Sequence, residues 1–214
     1  MRKEFFIRIL SSLILIPIVL FFIVKGSFFF NFFSILILSI TLYEWHSLSF
    51  KKIYYLPGLV FIFFSFYTFY LLRNEESLTF FLLILLTCIA TDLGGYIFGK
   101  LLKGPKLTKL SPKKTYAGMI GSYTLCILFY VFVANFKIFN VNNFISFFIF
   151  VIIISSISQL GDIIISYFKR LSKIKDTGNI IPGHGGLLDR IDGMLFAFPT
   201  SYLILMFDFF KIFI

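Results

Sequence analysis

The chain has 214 residues, a mean hydropathy of +0.96, 59% hydrophobic residues and only 14% charged ones, which excludes an ordinary soluble domain and makes a bilayer the solvent for most of it. The formal net charge is +10, yet the basic residues flank apolar runs without interleaved base-stacking aromatics, so no nucleic-acid partner is expected. Cys88 and Cys126 lie inside apolar runs with no spacing suited to zinc or to a disulfide framework.

Crossing the hydrocarbon takes about 20 predominantly apolar residues. Seven such spans are predicted, at approximately 9–24, 27–43, 53–72, 78–98, 117–135, 141–168 and 191–213. The first follows a basic start and is not followed by a small-residue cleavage site before Lys25, so it reads as a retained helix rather than a removed signal. The link "KGS" between the first two spans is so short that they must form a tight helical hairpin. The sixth span is long enough to project beyond the bilayer. With the N-terminus in the cytoplasm, seven spans put sixteen of the twenty Lys and Arg on the cytoplasmic side, the direction of the positive-inside rule. The fold expected is all-α: a polytopic integral membrane protein forming one domain over residues 1–214, with about seven transmembrane helices and a polar cavity facing the cytoplasm. A cell inner (plasma) membrane is the expected location.

Polar chemistry concentrates in two loops expected at the cytoplasmic face, 99–116 and 169–190. Asp92 and Asp162 fall near the ends of the apolar helices beside them, where an unpaired charge is costly and a functional role is the default reading. In "SSISQLGDIIISYFKR", Ser158, Asp162, Ser166, Lys169 and Arg170 recur at steps of three or four and give one helix a polar face. Asp189 and Asp192, three residues apart, share the first turn of the next helix. For Asp192 alone, a favourable interaction with the helix macrodipole is an equally good reading. Asp162 and Asp189 together form a hard oxygen donor set, and Mg²⁺ takes one or two carboxylates while substrate phosphate and water fill its other positions. Asp92 either completes that cation site or pairs with a loop lysine.

Lys169, Arg170, Lys173 and Lys175 supply positive charge beside "PGHGG", where Gly183, Gly185 and Gly186 permit close approach by a phosphate. Taken alone, "GHGG" is also an ordinary turn with His184 at the interface. The loop "GKLLKGPKLTKLSPKKT" is dense in lysine and suits anionic lipid headgroups, worth about 1 kcal/mol per basic residue.

The segment "SYFKRLSKIKDTGNIIPGHGGLLDRID", residues 166–192, resembles the signature of the phosphatidate cytidylyltransferase family, the CDP-diacylglycerol synthases of membranes. The matching positions are Ser166, Lys169, Arg170, Lys175, Asp176, Gly178, Pro182, His184, Gly185, Gly186, Asp189, Arg190 and Asp192. The likeness continues through "SQLGD", "SPKKT", the "D..GGY.FGK" segment from Asp92 and "YEW" at Tyr43 to Trp45. One departure stands out: after "SPKKT" the family usually shows an aromatic residue, Glu and Gly, whereas Tyr116 is followed here by Ala117 and Gly118.

The resemblance implies the reaction of CTP with phosphatidic acid to give CDP-diacylglycerol and pyrophosphate. It also implies a requirement for Mg²⁺ on Asp162 and Asp189, a nearby monovalent cation (K⁺), and a homodimer among membrane lipids. Asp92 and Asp192 are further candidates at the metal. The expected catalytic residues are Asp162, Asp189, Lys169, Arg170, Lys175 and Arg190. Substrate contacts are expected from Lys113, Lys114, Ser166, Gly183, His184, Gly185 and Gly186. The nearest rival is a CTP-dependent kinase of a lipid or isoprenoid alcohol, which would release CDP instead of pyrophosphate. A lipid or ion transporter would explain the intramembrane aspartates but not the signature loop. A CDP-alcohol phosphotransferase is disfavoured because its aspartate array, D..DG..AR...G...D, is absent.

Overall fold

 A computed structural model describes residues 2–108, 111, 114–135, 144–181, 183 and 185–207, with the backbone alone described at 2–10, 12 and 144. Among the described residues the chain forms seven helices and no strand: α1 (Arg2–Lys25), α2 (Ser27–Ser49), α3 (Tyr55–Asn74), α4 (Leu78–Leu102), α5 (Tyr116–Asn135), α6 (Phe144–Leu171) and α7 (Leu188–Met206). They follow the predicted spans in order. By length and composition, α2 to α5 and residues Ile145–Leu171 of α6 can each cross a membrane, as in a multi-pass membrane protein. The apolar part of α1 that is described, Leu13–Lys25, is shorter. Helix α7 carries Asp189, Arg190 and Asp192 in its first five residues. At 1.5 Å per residue, the 28 residues of α6 extend about 42 Å, well beyond a hydrocarbon core of about 30 Å.

The chain divides into two compact units, one made of Met1–Glu75 and Tyr167–Ile191, the other of Glu76–Ser166 and Asp192–Ile214.

In the first unit, α1 and α2 form the tight hairpin expected from "KGS". Only Gly26 lies between them, at φ 66°. The Phe22 and Phe33 rings stack at 5.1 Å across the hairpin. Arg73, in the last turn of α3, donates from Nε to the Ile23 carbonyl at 2.8 Å, satisfying a carbonyl that the end of α1 leaves without a helical partner. A Cβ on Gly26 would stand 2.7 Å from the guanidinium. Helix α2 runs six residues past the predicted end at Tyr43, so Glu44 and Trp45 are helical and buried. Trp45 donates from its indole to the Tyr55 carbonyl at 3.1 Å, and its ring meets Phe168 edge-on at 5.5 Å. Its indole also lies over Gly58, leaving no space for a Cβ there.

In the second unit, α4 and α5 pack backbone to backbone. A Cβ on Gly94 would strike the Gly121 carbonyl, and one on Gly118 would stand 2.8 Å from the Gly95 carbonyl. Small residues permit such close approach between membrane helices, where apolar side chains gain little by leaving lipid. Hydroxyls add polar links: Ser122 Oγ donates to the Thr91 carbonyl at 2.7 Å, and Thr91 Oγ1 donates to Ser155 Oγ at 2.9 Å. Glycines therefore explain much of "D..GGY.FGK" through packing.

Candidate active site

Two carboxylate–lysine pairs form, one in each unit. In the second unit, residues 105–107 pair with residues 114–116, around an antiparallel bridge between Lys106 and Thr115. Leu107 N donates to the Lys114 carbonyl at 2.8 Å, and Tyr116 N to the Pro105 carbonyl at 3.1 Å. Thr115 Oγ1 then accepts from Gly118 N at 3.0 Å, capping the start of α5. This arrangement presents Lys114, whose Nζ lies 2.5 Å from Asp162 Oδ2. Ser166, one turn along α6, donates to Asp162 Oδ1 at 3.3 Å. Both members of the ion pair are partly exposed, at 22% and 30%.

In the first unit, Lys169 Nζ lies 2.6 Å from Asp189 Oδ1, with the side chains only 10% and 7% exposed. The other oxygen, Asp189 Oδ2, accepts from Thr177 N at 2.8 Å and Gly186 N at 3.3 Å, and lies 3.1 Å from Thr177 Oγ1. Burial of a carboxylate is tolerable when its lone pairs are met in this way. The turn leading to it is closed by Ile181 N donating to the Gly185 carbonyl at 3.0 Å, with Gly183 at φ 76° and Gly185 at φ 88°. Both are left-handed conformations suited to glycine.

Beneath this turn is Glu44, a residue that the sequence pattern did not single out for chemistry. It is 1% exposed. Its Oε1 accepts from Leu187 N at 2.9 Å, and its Oε2 accepts from Leu188 N at 2.8 Å and Thr177 Oγ1 at 2.8 Å. Leu187 and Leu188 stand at the start of α7, so the carboxylate fills an anion position at a helix N-terminus. These bonds start α7 three residues before the predicted Ile191. Gly178 and Gly186 close over the same carboxylate. A Cβ on Gly178 would lie 2.9 Å from Oε1, while one on Gly186 would collide with Thr177 Oγ1 and approach Oε2 to 2.6 Å. Gly186 is needed here for packing on Thr177 and Glu44.

The remaining predicted site residues form neither of these two pairs. Arg170 donates to the Ile174 carbonyl at 3.1 Å, past the end of α6. Lys175, Gly183 and Arg190 are exposed, as is Asp92 on α4. Asp192 is buried, and its Oδ1 accepts from Gly193 N at 2.9 Å. Lys113, Pro182 and His184 lie outside the described residues.

No group of three or more His, Cys, Asp or Glu that could hold a metal occurs among the described residues. A cage made wholly of protein is therefore not formed there. The donor chemistry nevertheless fits Mg²⁺, which is usually held by one or two carboxylates and completed by substrate phosphate and water. Asp162 and Asp189 each offer hard oxygens, and each already faces a cation, the ammonium of Lys114 or Lys169.

Comparison with known proteins gives a consistent result. Residues 49–208 match the cytidylyltransferase family. A phosphatidate cytidylyltransferase of Rickettsia felis is 36% identical over 215 residues, covering 95% of this chain and 93% of the relative. The protein of that name from Rickettsia conorii is 38% identical over 214 residues, covering 96% and 92%. Another, from Staphylococcus haemolyticus, is 35% identical over 175 residues, covering 81% of this chain and 66% of the longer relative. The chain belongs to the cytidylyltransferase family.

Proposed function

We propose that the protein is a phosphatidate cytidylyltransferase, joining CTP and phosphatidic acid into CDP-diacylglycerol with release of pyrophosphate. Likeness to relatives of that name along nearly the whole chain carries the reading. The apolar helices suit a lipid substrate, and the basic residues suit two phosphorylated ones. A phosphate oxygen of phosphatidic acid attacks the α-phosphorus of CTP, and the bond to the pyrophosphate oxygen breaks. The attacking phosphate is already ionised near neutral pH, so the reaction needs no general base. What it needs is alignment and neutralisation of charge.

Asp162 and Asp189 are the proposed holders of Mg²⁺, which when bound supplies charge stabilisation to phosphate oxygens. Lys114 and Lys169 are placed beside those carboxylates and bind substrate phosphate oxygens, with Arg170, Lys175 and Arg190 supplying further positive charge. Lys113, Ser166, Gly183, His184, Gly185 and Gly186 complete the proposed substrate contacts. The excess of Lys and Arg in alternate loops supports a cytoplasmic active face in the inner membrane, where CTP is available. A monovalent cation and a homodimer belong to the same proposal.

The test is direct. Purified protein in mixed micelles receives labelled CTP, phosphatidic acid and Mg²⁺, and CDP-diacylglycerol and pyrophosphate are both measured. Equal yields of the two are expected, with loss of both in Asp162→Asn and Asp189→Asn. Release of CDP with phosphorylation of a lipid alcohol would replace this reading by the kinase.

A further inference from the structure

We propose that Glu44 is a positioning residue for the metal-binding carboxylate Asp189, acting through the hydroxyl of Thr177. The inference rests on the proposed role of Asp189. Thr177 Oγ1 lies 2.8 Å from Glu44 Oε2 and 3.1 Å from Asp189 Oδ2. A hydroxyl has one proton to donate and two lone pairs with which to accept. It cannot make a full linear bond to both carboxylates at once. The shorter contact is to Glu44, so Glu44 takes the proton and anchors Thr177, whose amide holds Asp189 Oδ2.

The consequences for Asp189 follow from its other partners. Its Oδ2 remains fixed by the amides of Thr177 and Gly186, and its Oδ1 faces the ammonium of Lys169. The carboxylate is therefore held in orientation while retaining the negative charge that a hard cation requires. Glu44 also fixes the backbone immediately before the acid. It binds the amides of Leu187 and Leu188, and Leu188 directly precedes Asp189. Among the described residues, Glu44 makes no ion pair with Lys, Arg or His. Its charge is met by two amides and the Thr177 hydroxyl, groups that all belong to the segment carrying Asp189. A buried leucine or glutamine in its place would fill the space without reproducing this set of acceptors.

The test uses the full chain in detergent micelles and the variants Glu44→Gln, Thr177→Val, Thr177→Ser and Asp189→Asn. Binding of Mn²⁺ alone is followed by electron paramagnetic resonance, and thermal unfolding is measured on the same samples. Outer-shell partners of a metal ligand typically change affinity by about 10–100-fold when removed. Glu44→Gln and Thr177→Val are expected to weaken Mn²⁺ binding in that range, while Thr177→Ser, which keeps the hydroxyl, binds like the unmodified protein. If Glu44→Gln does not fold, Thr177→Val and Thr177→Ser decide the matter. Thr177→Val binding Mn²⁺ with unchanged affinity, while Asp189→Asn loses it, overturns the role of Glu44 and leaves the metal assignment standing. Undiminished binding by Asp189→Asn overturns the metal assignment itself, and with it the inference.

Discussion

Lys169 and Asp189 form an ion pair with a 2.6 Å separation and almost no exposure to solvent, whereas Lys114 and Asp162, at 2.5 Å, remain partly open. The same chemical pairing therefore has different energetic consequences in the two places. Removing one member of a buried pair leaves a charge without compensation and costs about 3–5 kcal/mol, whereas a solvent-exposed pair is worth about 0–1 kcal/mol. Lys169→Met is expected to lower the thermal unfolding temperature sharply, and Lys169→Met with Asp189→Asn to recover much of the loss. Thermal unfolding of both variants in micelles checks this, and a double variant no more stable than the single one would refute it.

For Lys114 the expectation separates stability from activity. Lys114→Gln should unfold within a few degrees of the unmodified protein, but its kcat/KM with CTP and phosphatidic acid should fall by about 10²-fold or more, the scale for removing one electrostatic contact to a reacting group. Steady-state kinetics with each substrate varied in turn shows where the loss falls. Near-normal catalysis would remove Lys114 from the site.

Gly186→Ala places a methyl group against Thr177 Oγ1 and Glu44. Overpacking of this type costs about 1–3 kcal/mol. Gly186→Ala combined with Thr177→Ala, which removes the obstructing hydroxyl, should lose less stability than the sum of the two single changes. A double-variant cycle on unfolding free energies measures the difference.

Gly94→Ala directs its methyl group at the Gly121 carbonyl, a backbone atom that cannot rotate away as a side chain could. A loss of about 1–3 kcal/mol is expected as α4 and α5 move apart. Thermal unfolding of this variant should show a lower midpoint than that of Gly104→Ala, whose Cβ meets nothing within 4 Å, although the φ of 101° at Gly104 adds local strain.

The helices are legible because long apolar runs leave little choice in a bilayer, and the α1–α2 hairpin follows from the short link "KGS". The lysines and aspartates of the signature were legible as chemistry, though not as the specific pairs Lys169–Asp189 and Lys114–Asp162. Glu44 falls within the "YEW" likeness, yet its role is hidden for a physical reason. A hydropathy reading ended the second span at Tyr43, because Glu44 and His46 are polar, and local spacing has no means of relating a glutamate to Thr177. In the sequence Gly186 reads as room for a phosphate or as part of an ordinary turn, because glycine frequency signals freedom without naming the neighbour that requires it. The structure supplies neighbours, Thr177 and Glu44, drawn from the fold.

The separation between those partners has a consequence for biogenesis. Glu44 lies 133 residues before Thr177, and synthesis at about 5–20 residues per second leaves an interval of roughly ten seconds between them. Throughout it, the emerging chain holds an acidic side chain near the end of an apolar helix whose final donors have not yet been made. Such a group favours water or a temporary protonated form over lipid. A late segment of the chain, from Thr177 to Leu188, thus completes the burial of one of the first acids to be synthesised.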